Sequence, residues 1–529
     1  MPEPIDSPRL SIVVRRVEEL EAELGSRTEQ APVGTLVHYA NALLARYEAV
    51  GDLRDVDTAL DIARQADAAA GDERVARSVA LNVLANAHMA AYRERGQRAD
   101  LAAALAAQRE TVRLSGPGDE GRVPFVVNLA NRLLSIFDVT RDAAILDEAI
   151  DATTQVLDSA MPDPWRAAAL NNLGLALRAR FAVSGRRKDL DASLRAQQES
   201  LRLTGTDAVE RVNRLNNLAN AQWALYLSTG VLADLDDAVD AYTAAVKYPA
   251  NPNTRAACLL GLGTARWSRW GRRKLPGDLD AAIEAFTSAA ELVDSATPTA
   301  VHCDLNLGAA YFARWRHFRQ RADLDRAIAS WAAARTSPAA TREIAEAAAS
   351  NLGGALWERY EDASEETDLH EAIDLLGAAA QQELVTSQPS RIFTLAGALR
   401  RRFELFGDAD DRHRAIAAFR AACVLGLTLN PGVALSSGQS WGEWASRRRS
   451  FVEADEAFTR ATAAAMNLYR SQRTEEHTEV WLRQAPTLAA RHAYAQVRLD
   501  QRDRAVVTLE RGRAYVLSEA LRSAPAADA

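Results

Sequence analysis

The sequence predicts an all-α fold, a solenoid of stacked helical hairpins, and two observations carry that reading. The first is a register of aromatic residues, Tyr47, Tyr92, Phe137, Phe181, Tyr226, Trp270, Trp315, Tyr360 and Phe403, spaced 45, 45, 44, 45, 44, 45, 45 and 43 residues apart. The second is the motif that travels with it. It is clearest at Asn351-Leu352-Gly353-Gly354-Ala355, Tyr360 and Asp368-Leu369-His370-Glu371-Ala372-Ile373, and it recurs around Trp315 and around Tyr226. A fixed period of this length marks stacked supersecondary units, each of which buries its apolar face only against its neighbours.

Bulk properties narrow the function. An array grows in one direction, so 529 residues do not demand one oversized core. Charged residues at 25% and hydrophobic ones at 48% describe a folded chain rather than a disordered one. A net charge of −8 gives no global attraction to nucleic acid or acidic membranes and leaves only local basic patches to provide one. Cys258, Cys303 and Cys423 lie in separate repeats, with no Cys-x-x-Cys and no clustered histidines. No metal site or cofactor is therefore expected, and a reducing compartment is the simplest setting. Residues 1–6 lack the basic and then apolar stretch of a signal peptide, and no apolar run reads as long enough to span a bilayer. The expectation is a cytoplasmic protein without a membrane partner.

Taken in order, residues 1–32 contain an amphipathic helix over 9–24, with Leu10, Val13, Val14, Val17, Leu20 and Leu24 at helical spacing, placed to cap the first repeat. Residues 33–428 hold about nine long repeats of two helices each. Helix A carries a stripe such as Leu173, Gly174, Leu177 and Phe181. A short basic loop follows, and Asp189 opens helix B, with Leu190, Leu194 and Leu201. Asp189 is expected to accept from the free N–H groups of that first turn. A Gly or Ala at 40, 85, 130, 174, 219, 263, 308 and 353 lies seven residues before each aromatic, on one helical stripe, as close helix contact requires. Residues 429–470 read as a shorter hairpin. Asn430-Pro431-Gly432 and Ser436-Ser437-Gly438 make a loop, with helices over 441–449 and 451–468. Residues 471–529 form a last pair, over 474–499 and 502–522.

The Leu-Gly pair of helix A, and the large residue of helix B at Tyr242, Phe286, Trp331, Leu376 and Phe419, resemble the tetratricopeptide repeat. That resemblance implies a right-handed α-solenoid of lengthened tetratricopeptide-like units, since about 34 residues is usual for that repeat. HEAT-type packing at about 40–47 residues is the alternative. Ala63, Gln108, Thr153 and Gln197 occupy the helix B position in the first four units and depart from the pattern. The stretch 505–521, with Leu509-Glu510-Arg511-Gly512-Arg513-Ala514 at its centre, is similar to the segment that joins such arrays to the CHAT domain, a caspase-like peptidase fold. The "Asp-Leu-Asp-x-Ala-Ile" repeats at this period are also similar to those of bacterial CHAT proteins. A peptidase of that family needs an α/β domain with a His and a nucleophilic Cys. No Cys follows Cys423, so no catalytic residue carries over and no enzyme is expected from this stretch.

Candidate binding residues lie on helix A. Asn41, Asn86, Asn131 and Asn220 follow the small residue, on the face that tetratricopeptide arrays turn to their groove, and a carboxamide can pair with any peptide backbone. Three positions on sit Trp223, Trp267, Phe312 and Trp357. The plainer role for both rows is bonding and filling between repeats. The loops between helices are basic, with Arg186, Arg187, Arg272 and Arg273 the foremost members, and could form an anion-binding edge or merely balance neighbouring carboxylates. Three functions follow: a protein- or peptide-binding scaffold serving as the sensing arm of a CHAT-type system, the repeat region of a peptidase whose catalytic part is elsewhere, and a nucleic-acid-binding array. The aromatic register itself reads as core. Trp315→Ala is expected to lower stability by about 3–5 kcal/mol, measured by denaturant unfolding.

Overall fold

A computed structural model describes residues 8–25, 31–116, 118–119, 121–380, 389–471 and 475–522. Residues 1–6, examined above for a leader, and the tail running to Ala529 lie outside these. The chain divides into two compact units between Asp278 and Leu279. Within the first, helix Pro8–Leu24 precedes the hairpins Val33–Val50 with Leu53–Ala70, Arg74–Arg95 with Arg98–Leu114, Arg122–Thr140 with Ala143–Leu157, Asp163–Ser184 with Arg187–Leu203, and Ala208–Thr229 with Leu232–Ala245, then helix Pro252–Arg273. Helix Pro276–Glu291 contains the division. The second unit continues with Pro298–Phe318 and Arg321–Thr336, Arg342–Ala363 and Glu366–Ala380, Pro389–Phe406 and Ala409–Leu429, Pro431–Arg447 and Phe451–Ser471, and Glu475–Arg498 and Arg502–Arg522. Among the described residues there is no strand, and each unit is an array of helical hairpins, the all-α solenoid architecture the period predicts.

The register aromatic points inward throughout: Tyr47, Phe137, Tyr226, Trp315 and Tyr360 are buried, and Tyr92, Phe181, Trp270 and Phe403 half-buried. Trp315 packs in one cluster with Leu324, Trp331, Leu352 and Leu356. The small residues seven positions earlier let helix B approach. A Cβ on Gly308 would sit 2.5 Å from the Trp331 indole, and one on Gly174 would sit 2.5 Å from the Gln197 amide. Gln197 and Gln108 fill the helix B position that departs from the repeat pattern. The Gln197 amide donates to the Asn171 carbonyl of its own helix A, as the Trp331 indole donates to that of Leu305, whereas the Gln108 amide donates forward to the Phe125 carbonyl in the next helix A. At Gln197 a buried glutamine thus replaces an aromatic with the same hydrogen bond. Val17, Leu20 and Leu24 of the first helix join the core of the first repeat, as the capping role requires; the side chain of Leu10 lies outside the described residues.

Four residues after each register aromatic the chain turns left-handed, at Gly51, Gly96, Arg141, Gly185, Gly230, Lys274, Arg319, Ser364 and Gly407. In all nine the N–H donates back to the aromatic's carbonyl and closes helix A. Where a cation replaces glycine there, its charge stands over the ring it follows. Arg141 lies 5.5 Å from the Phe137 centroid, Lys274 4.3 Å from Trp270 and Arg319 4.7 Å from Trp315. Part of the basic character of the loops is spent on these contacts.

Three sequence readings are corrected. Asp189 does not cap helix B: the helix starts earlier, at Arg187, and Asp189 sits buried inside its first turn. It accepts a two-pronged bond from Arg180, nine residues back, at 2.9 and 2.8 Å. The same fork joins Arg46 to Asp55, Arg269 to Asp278, Arg314 to Asp323, Arg359 to Asp368 and Arg402 to Asp411. The arginine's other nitrogen reaches the preceding helix B, to Asp147 from Arg180, Asp236 from Arg269, Asp280 from Arg314 and Asp325 from Arg359. The second correction concerns 430–438, read as a loop. Asn430 accepts from the Val433 N–H as a cap, Pro431 takes the first position, and the helix runs unbroken to Arg447. Gly438 is there for contact: a Cβ would meet the Ala457 carbonyl at 2.9 Å. One helix, Arg122–Thr140, is moreover long and apolar enough to cross a membrane, contrary to the sequence reading, although half of that stretch is buried in the array.

Arg180 holds the Asp189 carboxyl below the usual carboxylate range, against the opposing effect of burial. A depressed carboxylate contributes stability that is complete above its unfolded pKa, near 4, and is lost as pH falls through the lower folded value. Asp189→Asn is therefore expected to cost ~2–3 kcal/mol at pH 7, somewhat less than a fully buried pair. The gap to wild type should narrow progressively when unfolding is repeated at pH values falling below about 4.

Candidate ligand-binding pocket

Helix A of each of the first three repeats contributes one wall of a cavity of about 380 Å³, lined by Asn41, Tyr47 and Glu48 from the first, Asn86, Met89 and Arg93 from the second, and Asn128, Asn131 and Arg132 from the third, among others. Three of the four asparagines singled out in the sequence are brought together here. Asn41 and Asn131 are exposed, and Asn86 is half-buried. Asn220 stands elsewhere and accepts from the Tyr242 hydroxyl at 2.8 Å.

The residue that sequence reasoning missed is Arg132. It is buried, 5% exposed, donates to the Asn86 amide oxygen at 2.6 Å and to the Asn128 carbonyl at 3.1 Å, and its Nε–H has no acceptor. Both acceptors are neutral, and the charge that acts on it is a like one, Arg93. Burial, together with Arg93, pushes its pKa down to about 10. The sequence held a signal: five residues before the register aromatic, the other eight repeats carry alanine, at 42, 87, 176, 221, 265, 310, 355 and 398. At the rim Arg93 lies 3.9 Å from Glu48, both exposed.

A second row of asparagines ties neighbouring A helices together. Asn128 donates to Asn82 at 3.0 Å, Asn172 to the Val127 carbonyl at 3.1 Å and Asn217 to Asn171 at 2.8 Å. The aromatic row is half-buried. Trp267 stacks on Trp270 at 5.0 Å in the first unit, and in the second Phe312 and Trp357 lie against Trp315 and Tyr360 at 5.3 and 5.7 Å. The Trp223 indole N–H is buried without an acceptor. Of the basic edge, Arg186 is exposed at the start of its helix and Arg187 pairs with Asp191 at 2.9 Å. Arg272 donates to the Tyr226 hydroxyl at 3.0 Å and Arg273 to Asp236 at 2.8 Å.

No group of His, Cys, Asp and Glu able to hold a metal ion occurs among the described residues. The three cysteines are core residues. Burial raises the thiol of Cys258 to about 11, that of Cys303 to about 12 and that of Cys423 to about 11, far from a nucleophile's range.

Hairpin after hairpin with this internal register makes the chain an all-α helical-repeat protein. No protein-family model matches it, and no curated protein does. Solved structures similar to it include human IFIT1, as a dimer with PPP-AAAA, at 14% identity over 97% of this chain and 96% of that one, with a TM-score of 0.37. Naa15/Naa10 bound to HypK-THB matches at 13% identity, over 94% and 98%, with a TM-score of 0.32. Yeast Tom70 matches at 13%, over 92% and 97%, with a TM-score of 0.30.

The cysteine environments predict that a thiol reagent at pH 8 modifies none of the three in the folded protein and all three after denaturation, as counted by intact mass.

Proposed function

We propose that the chain is a binding scaffold for a protein or an extended peptide, engaged through the outer residues of helix A. One observation carries this reading. While the register aromatic packs against helix B, Asn41, Asn131, Trp223 and Trp267 in the first unit and Phe312 and Trp357 in the second, six or three positions before it, stay at the surface or half-buried. Amides that both donate and accept, beside flat apolar rings, suit a partner whose backbone and side chains are both read.

The finer reading, a cytoplasmic sensing or scaffolding arm of a CHAT-type system, rests on the resemblance of the repeats and of residues 505–521. The alternative within it is that a peptidase domain acts from a following segment or another chain, which reading the downstream coding sequence resolves. The buried cysteines support placing any such chemistry outside these residues. The nucleic-acid reading draws on the basic edge, and the partners already held by Arg187, Arg272 and Arg273 within the chain favour the protein reading over it.

Capture of partners from the native cell tests the proposal. The Trp267→Ala/Trp357→Ala protein is expected to lose a partner that wild type retains, and Asn86→Ala/Asn131→Ala to weaken its capture. Unaltered capture by both variants would reject the scaffold face.

A further inference from the structure

We propose that the pocket of the first three A helices binds a small organic anion, with Arg132 and Arg93 as its charge partners. The first ground is substitution within the molecule itself. Eight repeats place alanine in the slot where this one places arginine, so the helix packing has no need of a guanidinium there. Burying that charge is costly unless an anion compensates it, and Arg132 is 5% exposed with only neutral acceptors and an Nε–H that has none. A group with that cost, kept on the wall of a cavity, fits an anionic ligand.

The cavity sets the ligand class. About 380 Å³ falls within the roughly 300–1,000 Å³ of small-molecule sites, and a bare inorganic ion would leave most of it empty. Arg132 and Arg93 against Glu48 leave one net positive charge, which suits a single anionic head, a carboxylate or a phosphate ester. The exposed amides of Asn41 and Asn131 can donate to or accept from the neutral body of the molecule. Arg132 lies almost wholly out of solvent, so a compact head on a small molecule reaches it more readily than an acidic side chain on a segment crossing the surface.

The inference shares three asparagines with the scaffold face, but it concerns the purified chain alone, so it fails or stands separately from partner capture. The test is thermal unfolding of the full chain with two series of probes at equal ionic strength. One series is carboxylates, benzoate and glutarate, and the other phosphate esters, glycerol 3-phosphate and adenosine monophosphate. An acidic peptide serves as a third arm. The expected result is a saturable rise of several degrees in Tm with one series, absent in Arg132→Ala, which remains folded because alanine is the residue of the other repeats. Arg93→Ala, at the exposed rim, is expected to weaken the apparent Kd about tenfold, the loss of one charge-assisted contact. No rise with any small anion, a rise confined to the peptide, or an equal response from Arg132→Ala would each overturn the proposal.

Discussion

The fork between the arginine before six of the nine register aromatics and the aspartate nine residues later is the interaction on which the array depends. It spans the turn from helix A to helix B, so it fixes the angle at which the two helices of a hairpin meet. The arginine's third contact, to the preceding helix B, fixes the angle between hairpins. A bidentate pair has one geometry where a hydrophobic contact has many. The apolar register supplies the free energy of stacking, and the forks determine which stacking is adopted.

The repeats without the fork show what replaces it. In the second, His88 approaches Asp100 at 3.0 Å in the corresponding place. The third has Ile136 and Ile145 where Arg and Asp would stand, and there the turn is closed by apolar contact, with Ile136, Leu133 and Ile150 in one cluster. This same third repeat carries Arg132. In this third repeat, whose turn is held by packing, a charge of a different purpose lines the cavity.

Much of this was legible in the residues. The aromatic spacing, the small residue before it and the amphipathic first helix gave the hairpins, and the Asn row led to three of the pocket's walls. The forks were harder to see. Asp189 has the look of a cap, and only a loop of two residues brings it against Arg180. Asn430-Pro431-Gly432 was misread because Asn, Pro and Gly punctuate loops. The same order also describes a cap and a first helical residue, and Gly438 beyond it answers to a neighbour that sequence does not display. Arg132 could have been found by aligning the nine units against one another and asking which slot breaks its own rule, a comparison that a search for motifs passes over.

The left-handed residue that closes each A helix, always four beyond the aromatic, has a consequence for how such a chain can change in length. Because every unit ends at the same phase, excising one whole unit between Arg314 and Arg359 would bring Arg359 to Asp280 in place of Asp325 and restore an equivalent junction. A cut of ten or twenty residues would leave a stranded cation and a ring with no seat. Growth and shrinkage of this protein are thus quantised in steps of one period, and its length is a count of units rather than a continuous variable.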